Sequence, residues 1–203
     1  MTATGQDNRY HGESEKLLGS FLAGDNDAFT RLVQLYEERL YAFLARFTGD
    51  PHLAEDIFQQ AFMKVARNAA GFDHKSSFST WLFKIARNTA IDELRARKRG
   101  MVVFGVGDGE DTEPAALEQP LLDKLAGLEL RDRIMALVEA LPESQREAFL
   151  LKEEAEMTFD EIAAVTDCSR DTAKSRFRLA VEKLRMAISA DPELKYFGRD
   201  RHG

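Results

Sequence analysis

A helix-turn-helix pattern near the C-terminus, TFDEIAAVTDCSRDTAKSRFRLAVEKLRMAI, constrains the fold of this chain more than any other feature. Thr158 followed by Glu161 is a capping box, which starts a helix. Asp167 and Cys168 interrupt that helix, and Ser169 can cap a second one. In the second helix the apolar residues recur at helical spacing on one stripe, and basic residues lie opposite. A short helix, a tight turn and a basic helix form the arrangement that fits a DNA major groove.

Charge is segregated along this pattern. Residues 168–185 hold six basic and two acidic residues, whereas residues 152–167 hold six acidic residues and one lysine. Such segregation suits a helix that lies against phosphates. The alternative is an incidental helical hairpin whose basic helix is only a solvated face, and DNA binding is the preferred interpretation.

The overall composition limits the class of protein. The 203 residues carry a net charge of -7, which argues against a uniformly basic nucleic-acid coat but not against local basic surfaces. One cysteine excludes an internal disulfide framework and suits a reducing compartment. The chain has no segment apolar enough to span a membrane and no secretory signal at its N-terminus. We expect a cytoplasmic protein without membrane insertion.

An acidic segment divides the chain. Residues 101–130 hold seven acidic residues and one lysine, and their GVGDGEDTEPAALEQP stretch is typical of a linker. The periodicity on both sides is helical. We predict an all-α protein with two small helical domains at residues 13–100 and 130–189. A flexible acidic linker at residues 101–129 joins them, and a C-terminal tail covers residues 190–203.

Helix signals recur through the N-terminal half. The first helix is predicted from about Glu13 to Ala23, and Asp27 is the expected cap of the second, which ends at Gly49. Asp50 starts the third helix, for which Gly71 is the expected C-terminal cap.

A polar loop bracketed by aromatic residues, FDHKSSF, precedes the fourth helix. Lys84, Arg87 and Asn88 can share an outer surface of that helix, which ends in a basic cluster. Aromatic residues beside basic and amide side chains can stack on and clamp unpaired bases. The alternative is that Trp81 and Phe83 are core residues and the basic cluster is only solvated. The helix-turn-helix pattern in the same chain favours a second nucleic-acid surface.

Three segments in this order resemble conserved regions two and four of a bacterial sigma factor: LAEDIFQQAFMKVARNAAGF, FSTWLFKIARNTAIDELRARKR and LPESQREAFLLKEEAEMTFDEIAAVTDCSRDTAKSRFRLAVEKLR. With no other region between them, the chain resembles the extracytoplasmic-function group of the sigma-70 family. The resemblance spans residues 14–100 and 130–189. It implies a factor, not an enzyme, that directs core RNA polymerase to specific promoters and promotes DNA opening.

The same resemblance implies DNA-binding roles. The second helix of the helix-turn-helix resembles the reader of the minus-thirty-five element, with the contact candidates Arg170, Thr172, Lys174, Ser175, Arg176 and Arg178. The aromatic-bracketed loop resembles one that captures a flipped base of the minus-ten element. The candidates there, including the following helix, are Phe72, Asp73, His74, Lys75, Ser76, Ser77, Phe78, Trp81, Lys84, Arg87 and Asn88. The candidates for phosphate contact are Arg95, Arg97, Lys98 and Arg99.

Protein partners are implied as well. The helix from Leu53 to Arg67 resembles the surface that docks on the coiled coil of the polymerase beta-prime subunit. Its contact candidates are Glu55, Asp56, Gln59, Phe62 and Lys64. The resemblance further implies the beta flap of core polymerase, promoter DNA and an anti-sigma factor as partners. It also implies that the acidic linker threads toward the polymerase active site and the RNA exit channel.

The residue types that commonly act in catalysis do not form a recognisable catalytic motif in this sequence. The four histidines have no metal-ligand spacing, and neither a Gly-rich phosphate loop nor a nucleophile motif is present. We therefore expect no cofactor, no metal and no catalytic residue. Two other classes remain open at this point: a one-component helix-turn-helix regulator and a helical adaptor that binds only proteins.

Overall fold

The computed structural model of this chain describes residues 4–104, 133–191 and 194, and among these residues it has helices but no strand. The prediction of an all-α fold is confirmed. The helices are α1 (Thr4–Leu22), α2 (Asn26–Thr48), α3 (Pro51–Asn68), α4 (Phe78–Phe104), α5 (residues 133–139), α6 (Glu143–Glu153), α7 (Phe159–Thr166) and α8 (Arg170–Ala190). Most of the predicted linker and tail lies outside the described residues, although α4 continues past the expected boundary at residue 100.

Local capping sets the bounds of α2. Asp25 has extended backbone, and its carboxylate accepts from the backbone N–H groups of Asp27 and Ala28. The prediction that Asp27 is the cap is wrong, because Asp27 lies in the first turn of the helix. Its negative charge there interacts favourably with the positive end of the helix dipole. Gly49 ends α2 as predicted, with a φ of 68° that glycine adopts without steric cost.

The start of α3 follows the sequence signal, but its end does not. Asp50 accepts from the N–H groups of His52 and Leu53, and proline stands in the first turn. The predicted C-terminal cap at Gly71 is wrong. Helix α3 ends at Asn68 and tightens into a 3-10 turn at Ala69–Gly71, whose last hydrogen bond runs from Phe72 N–H to the Ala69 carbonyl. Ala69 is buried, so the tight turn keeps this small residue in the core.

Helices α1 to α4 form an N-terminal module around large apolar side chains. Phe43, Leu40 and Phe83 are fully buried in it. The Tyr36 ring is also buried, and its hydroxyl shares a hydrogen bond of 2.7 Å with the Ser14 hydroxyl. Burial raises the pKa of Tyr36 to about 12 because it disfavours the phenolate.

Helices α6 to α8, with α5 before them, form a C-terminal module that contains the predicted helix-turn-helix. The reciprocal capping box between Thr158 and Glu161 starts α7, and Asp167 ends it in left-handed conformation with a φ of 51°. Ser169 then caps α8 through the Thr172 N–H. The predicted helix-turn-helix is confirmed. The sequence could predict it because its caps are local signals, formed between residues close together in the chain.

The two modules pack against each other. Helix α2 contacts α6, and α4 contacts α7. One contiguous apolar cluster includes residues of both modules, such as Phe83 on α4 and Leu150 on α6. Within the described residues, none of the helices combines the length and the apolarity that a bilayer crossing requires.

Candidate DNA and polymerase interfaces

Helix α8 turns an exposed basic face away from the module core. Ala173, Ala180 and Leu184 are buried on its inner side. Lys174 and Arg178 are exposed together on the other side, and Arg176 is half-buried on the opposite flank, since residues two apart do not share a helix face. Of the remaining upstream candidates, Arg170 and Ser175 are exposed and Thr172 is half-buried. This helix can present cations and hydrogen-bond donors along one line.

Two of these candidates have partners within the module. The Arg170 Nε donates to Asp160 Oδ2 at 3.2 Å, and both side chains are well exposed. The Thr172 hydroxyl shares a hydrogen bond of 2.8 Å with the Ser169 hydroxyl. An exposed ion pair contributes little and exchanges readily with another anion, so Arg170 remains available to DNA.

The structure adds Arg185 to the basic face. Lys174, Arg178 and Arg185 line one groove of about 1010 Å³ along α8, together with the exposed side chain of Met186. The spacing from Arg178 to Arg185 is two helical turns, which places both on one side. The sequence carries this signal as well, because a separation of seven residues in a helical segment predicts a shared face.

The aromatic residues around the predicted loop point inward. Phe78 is fully buried and Phe72 is 8% exposed, so in this structure neither ring is open to stack on a base, and their role at the downstream element stays a prediction. The Phe72 and Trp81 ring centroids lie 5.0 Å apart, and those of Phe78 and Trp81 lie 5.9 Å apart. Tyr36 extends this cluster, with its centroid 5.4 Å from that of Phe78. The rings anchor the loop, and Trp81 remains half-buried at its border.

The exposed part of the loop is polar. Asp73 and Lys75 form an ion pair of 2.7 Å, which lowers the pKa of the Asp73 carboxyl and raises the pKa of Lys75. His74 lies between them with a φ of 55°, and its ring contacts Phe72 edge-on. Ser76 and Ser77 are half-buried. The side chains that the loop offers to a partner are thus Asp73, His74 and Lys75.

The basic side chains near the start of α4 form ion pairs with carboxylates of the C-terminal module. Lys84 Nζ donates to Asp167 Oδ1 at 2.5 Å. Arg87 makes a two-pronged contact with Glu147, at 2.5 Å through Nε and 3.3 Å through Nη2. Asn88 is exposed next to them, and its Oδ1 accepts from Arg87 Nη1 at 3.2 Å.

The basic cluster on α4 is largely exposed. Arg95, Lys98 and Arg99 point to solvent. Arg97 instead pairs with Asp50 at 2.6 Å, and the N–H of Leu53 together with this guanidinium lowers the pKa of the Asp50 carboxyl. The cluster can thus contact phosphates mainly through three of its four members.

On α3 the predicted docking residues separate into two groups. Glu55, Asp56 and Gln59 are exposed on one face. Phe62 is only 5% exposed because its ring packs against Phe58 in the core, so its role in polymerase contact stays a prediction. Lys64 is exposed as a whole, and its Nζ donates to Thr89 Oγ1 at 2.8 Å, which ties α3 to α4.

A groove between α2 and α3 continues the exposed face of Glu55 and Gln59. It has a volume of about 450 Å³ and combines three carboxylates with an aromatic floor: Glu37, Glu38, Tyr41, Glu55, Phe58 and Gln59. Sequence reasoning missed the three residues from α2. The exposed Glu37-Glu38 pair with Tyr41 one turn later was a usable signal, but only the packing of α2 on α3 joins it to Glu55.

The described residues give little support for metal binding or for a reactive cysteine. No cluster of His, Cys, Asp and Glu in them is arranged to hold a metal ion. The Cys168 thiol is half-buried at the helix-turn-helix turn, 3.2 Å from Thr166 Oγ1.

Comparison with protein-family models identifies both modules. Residues 32–100 match the model for sigma-70 region 2, and residues 131–184 match that for sigma-70 region 4.

Full-length relatives agree with these matches. The ECF RNA polymerase sigma factor SigW of Bacillus subtilis is 32% identical over 81% of this chain and 91% of its own length. The RNA polymerase sigma-H factor of Pseudomonas aeruginosa is 34% identical over 87% of this chain and 94% of its own length.

Solved structures share the fold. The sigma factor RpoE of Bartonella quintana, crystallised with the anti-sigma factor NepR, has a TM-score of 0.65. It is 27% identical, and the match covers 80% of this chain and 98% of that one. CnrH in complex with the cytosolic domain of CnrY has a TM-score of 0.66 at 22% identity, over 88% of this chain and 99% of that one, and supports the fold alone.

Proposed function

The chain belongs to the extracytoplasmic-function sigma factors of the sigma-70 family, and we propose that its two modules divide promoter recognition between them. As a sigma factor of this group it acts with RNA polymerase in transcription initiation. Helix α8 reads an upstream duplex element, and α4 with its preceding loop holds a downstream element open. The polymerase supplies the chemistry. Membership of this family leaves the one-component regulator and the protein-only adaptor without support.

The observation that carries the upstream assignment is the exposed basic line on α8 directly after a capped turn. Lys174 and Arg178 lie one helical turn apart on it. Lysine and arginine neutralise phosphates in a salt-dependent manner, and arginine can also make two-pronged contacts with guanine. A helix with both kinds of group can bind duplex and select sequence.

Opening of the downstream element needs a different surface. Extruding a base costs a few kcal/mol of stacking and pairing, and a pocket for that base offsets the cost. The polar loop at Asp73, His74 and Lys75, with Asn88 on the next helix, offers donors and acceptors that suit base edges. Lys84 and Arg87, which pair with Asp167 and Glu147 in this structure, are the proposed contacts for the neighbouring phosphates.

We expect Asn88→Ala to slow open-complex formation on duplex promoter DNA. We propose that the exposed amide hydrogen-bonds the Watson–Crick edge of a base, which is accessible only once that base is unpaired, so its loss removes a contact made after opening. The loss should be on the order of tenfold, as one base contact is worth about 1–3 kcal/mol. Permanganate footprinting of the holoenzyme on duplex DNA measures the open fraction.

A premelted template provides the control for this variant. If Asn88 acts in opening, a template with an unpaired downstream element restores part of the lost activity. Equal losses on duplex and premelted templates, with unchanged thermal stability, would contradict a role in opening.

The acidic groove between α2 and α3 is the proposed docking site for the beta-prime coiled coil of core polymerase. Glu37, Glu38 and Glu55 give it negative charge, and Tyr41 with Phe58 gives it an apolar floor. Such a site fits a helical partner with basic side chains, because complementary charge speeds encounter and the aromatic rings supply buried area. The C-terminal module is the proposed contact for the beta flap.

An anti-sigma factor is the proposed inhibitor. Support comes from the Bartonella quintana relative, which was crystallised with such a protein. If the inhibitor covers α3, it competes with core polymerase for Glu55, Asp56 and Gln59. We expect purified core polymerase to displace the inhibitor in a pull-down from a co-expressed complex. A stable ternary complex that still initiates at promoters would contradict this form of control.

A further inference from the structure

Another cleft lies where the two modules meet. The end of α2, the second half of α4, the end of α5 and the start of α6 enclose it, and its volume is about 390 Å³. Small-molecule sites in proteins have volumes of about 300–1,000 Å³, so the cleft is large enough for one small ligand.

Three cations line this cleft. Arg95 and Lys98 lie three residues apart on α4, which places them on one face of the helix, and both are exposed. Arg146 comes from α6 and is half-buried. Two carboxylates line the same cleft, yet none of the three cations forms an ion pair within the described residues. Three positive charges therefore remain for an anionic ligand.

The Arg146 guanidinium keeps most of its donors. Its Nη1 donates to the backbone carbonyl of Glu139 at 3.3 Å. Its Nε is buried and has no hydrogen-bond partner among the described residues. Because no carboxylate neutralises this group, it can bind a phosphate oxygen, for which the planar guanidinium is well suited.

The two carboxylates come from other elements than the α4 cations. Glu139 ends α5 and Glu143 begins α6, and both side chains are exposed. Glu139 Oε1 lies 3.9 Å from the position that a Cβ would take on Gly49, so this carboxylate lies beside the end of α2. Carboxylates accept hydrogen bonds from hydroxyl and amino groups, and they repel phosphate. A ligand for this cleft thus needs an anionic end and a neutral end with donors.

We infer that the cleft binds a nucleoside diphosphate or triphosphate. The phosphates contact the three cations, and hydroxyl or amino groups of the nucleoside donate to Glu139 and Glu143. The apolar side chains of Ile91 and Leu94 line the cleft between these groups and suit one face of a base. A bare inorganic anion gains the cations but meets the carboxylates with nothing to donate. This site is separate from the proposed promoter and polymerase contacts of α8 and α3.

The test is isothermal titration calorimetry of the full chain with ADP, pyrophosphate and adenosine at one fixed ionic strength. No DNA or polymerase is present, so the outcome does not depend on the proposed function. ADP should saturate a single site. Pyrophosphate and adenosine should each bind at least about tenfold more weakly, because each lacks one half of the contacts. Bound ADP should also raise the melting temperature, since it binds the folded chain.

Charge-removing variants locate the site. Arg146→Gln and Lys98→Gln should each weaken ADP binding by about tenfold, as each removes a charge-assisted hydrogen bond. Lys183→Gln is the matched control, because it removes one exposed cation of the C-terminal module that does not line the cleft. It should bind ADP like the parent. Circular dichroism melting without ligand checks that the variants fold, and Lys98 is exposed, so its loss leaves the core intact.

Glu139→Gln tests the nucleoside end. It removes the charge that opposes an inorganic anion, so pyrophosphate should bind more tightly and the preference for ADP should narrow.

Three results would overturn the inference. The first is the absence of saturable ADP binding at millimolar concentration. The second is an equal loss in Arg146→Gln, Lys98→Gln and Lys183→Gln, which would indicate a general charge effect. The third is pyrophosphate binding as tight as that of ADP in the parent, which would leave an anion site without nucleoside recognition.

Discussion

Replacing Lys174, Arg176 and Arg178 together by alanine should weaken holoenzyme binding at the upstream element on the order of 100-fold. Lys174 and Arg178 are exposed on α8, Arg176 is half-buried on its flank, and a base contact is worth about 1–3 kcal/mol. Each lost phosphate contact should also flatten the dependence of log affinity on log salt by about one unit. Filter binding or anisotropy with duplex promoter DNA at several salt concentrations measures both quantities.

A charge-preserving variant separates the two kinds of contact. Lys174→Arg/Arg176→Lys/Arg178→Lys keeps all three positive charges but changes the geometry of the donors. It should retain the parent's salt slope while it loses discrimination between promoter and mutated sequences. Unchanged affinity and slope in the triple alanine variant would contradict the assignment of α8 as the upstream reader.

Reversing charge in the acidic groove should have the second large effect. Glu37→Lys/Glu55→Lys converts two of its three carboxylates to cations. If the groove receives a basic coiled coil, like charges then oppose each other, and such juxtaposition costs several kcal/mol. We expect affinity for core polymerase to fall by about tenfold or more, with slower association as the main cause. Surface plasmon resonance with immobilised core polymerase measures the rates.

The matched control is Glu13→Lys/Asp92→Lys, which changes net charge equally at exposed positions of the N-terminal module outside the groove. It should bind core polymerase like the parent. Equal loss in both variants would indicate a general charge effect and would contradict docking at this groove.

Local signals account for the parts of the fold that the sequence predicts. The caps at Asp50, Thr158 and Ser169 lie within three residues of the N–H groups that they bind. Their geometry depends little on the rest of the molecule. The error at Asp27 has a local cause too, because two aspartates two residues apart both suit a cap and only Asp25 has extended backbone.

Contacts between distant parts of the chain account for what the sequence does not predict. Phe72 and Phe78 bracket a polar loop, and nothing in that stretch shows that Tyr36 and Trp81 pack around them. The Lys84–Asp167 pair joins residues 83 positions apart. A solvated basic face and a face covered by another module have the same periodicity, so only tertiary structure distinguishes them.

The most direct measurement of promoter recognition is transcription from a random-sequence template library by core polymerase with and without this chain. Sequencing the transcripts and their templates identifies any sequence that the chain selects. With the parent chain, the transcribed templates should share two motifs at a fixed spacing, one upstream and one at the site of opening. The α8 triple alanine variant should lose enrichment of the upstream motif. Transcripts that are equally random with and without the chain, or a single motif unaffected by the α8 variant, would contradict promoter recognition divided between the two modules.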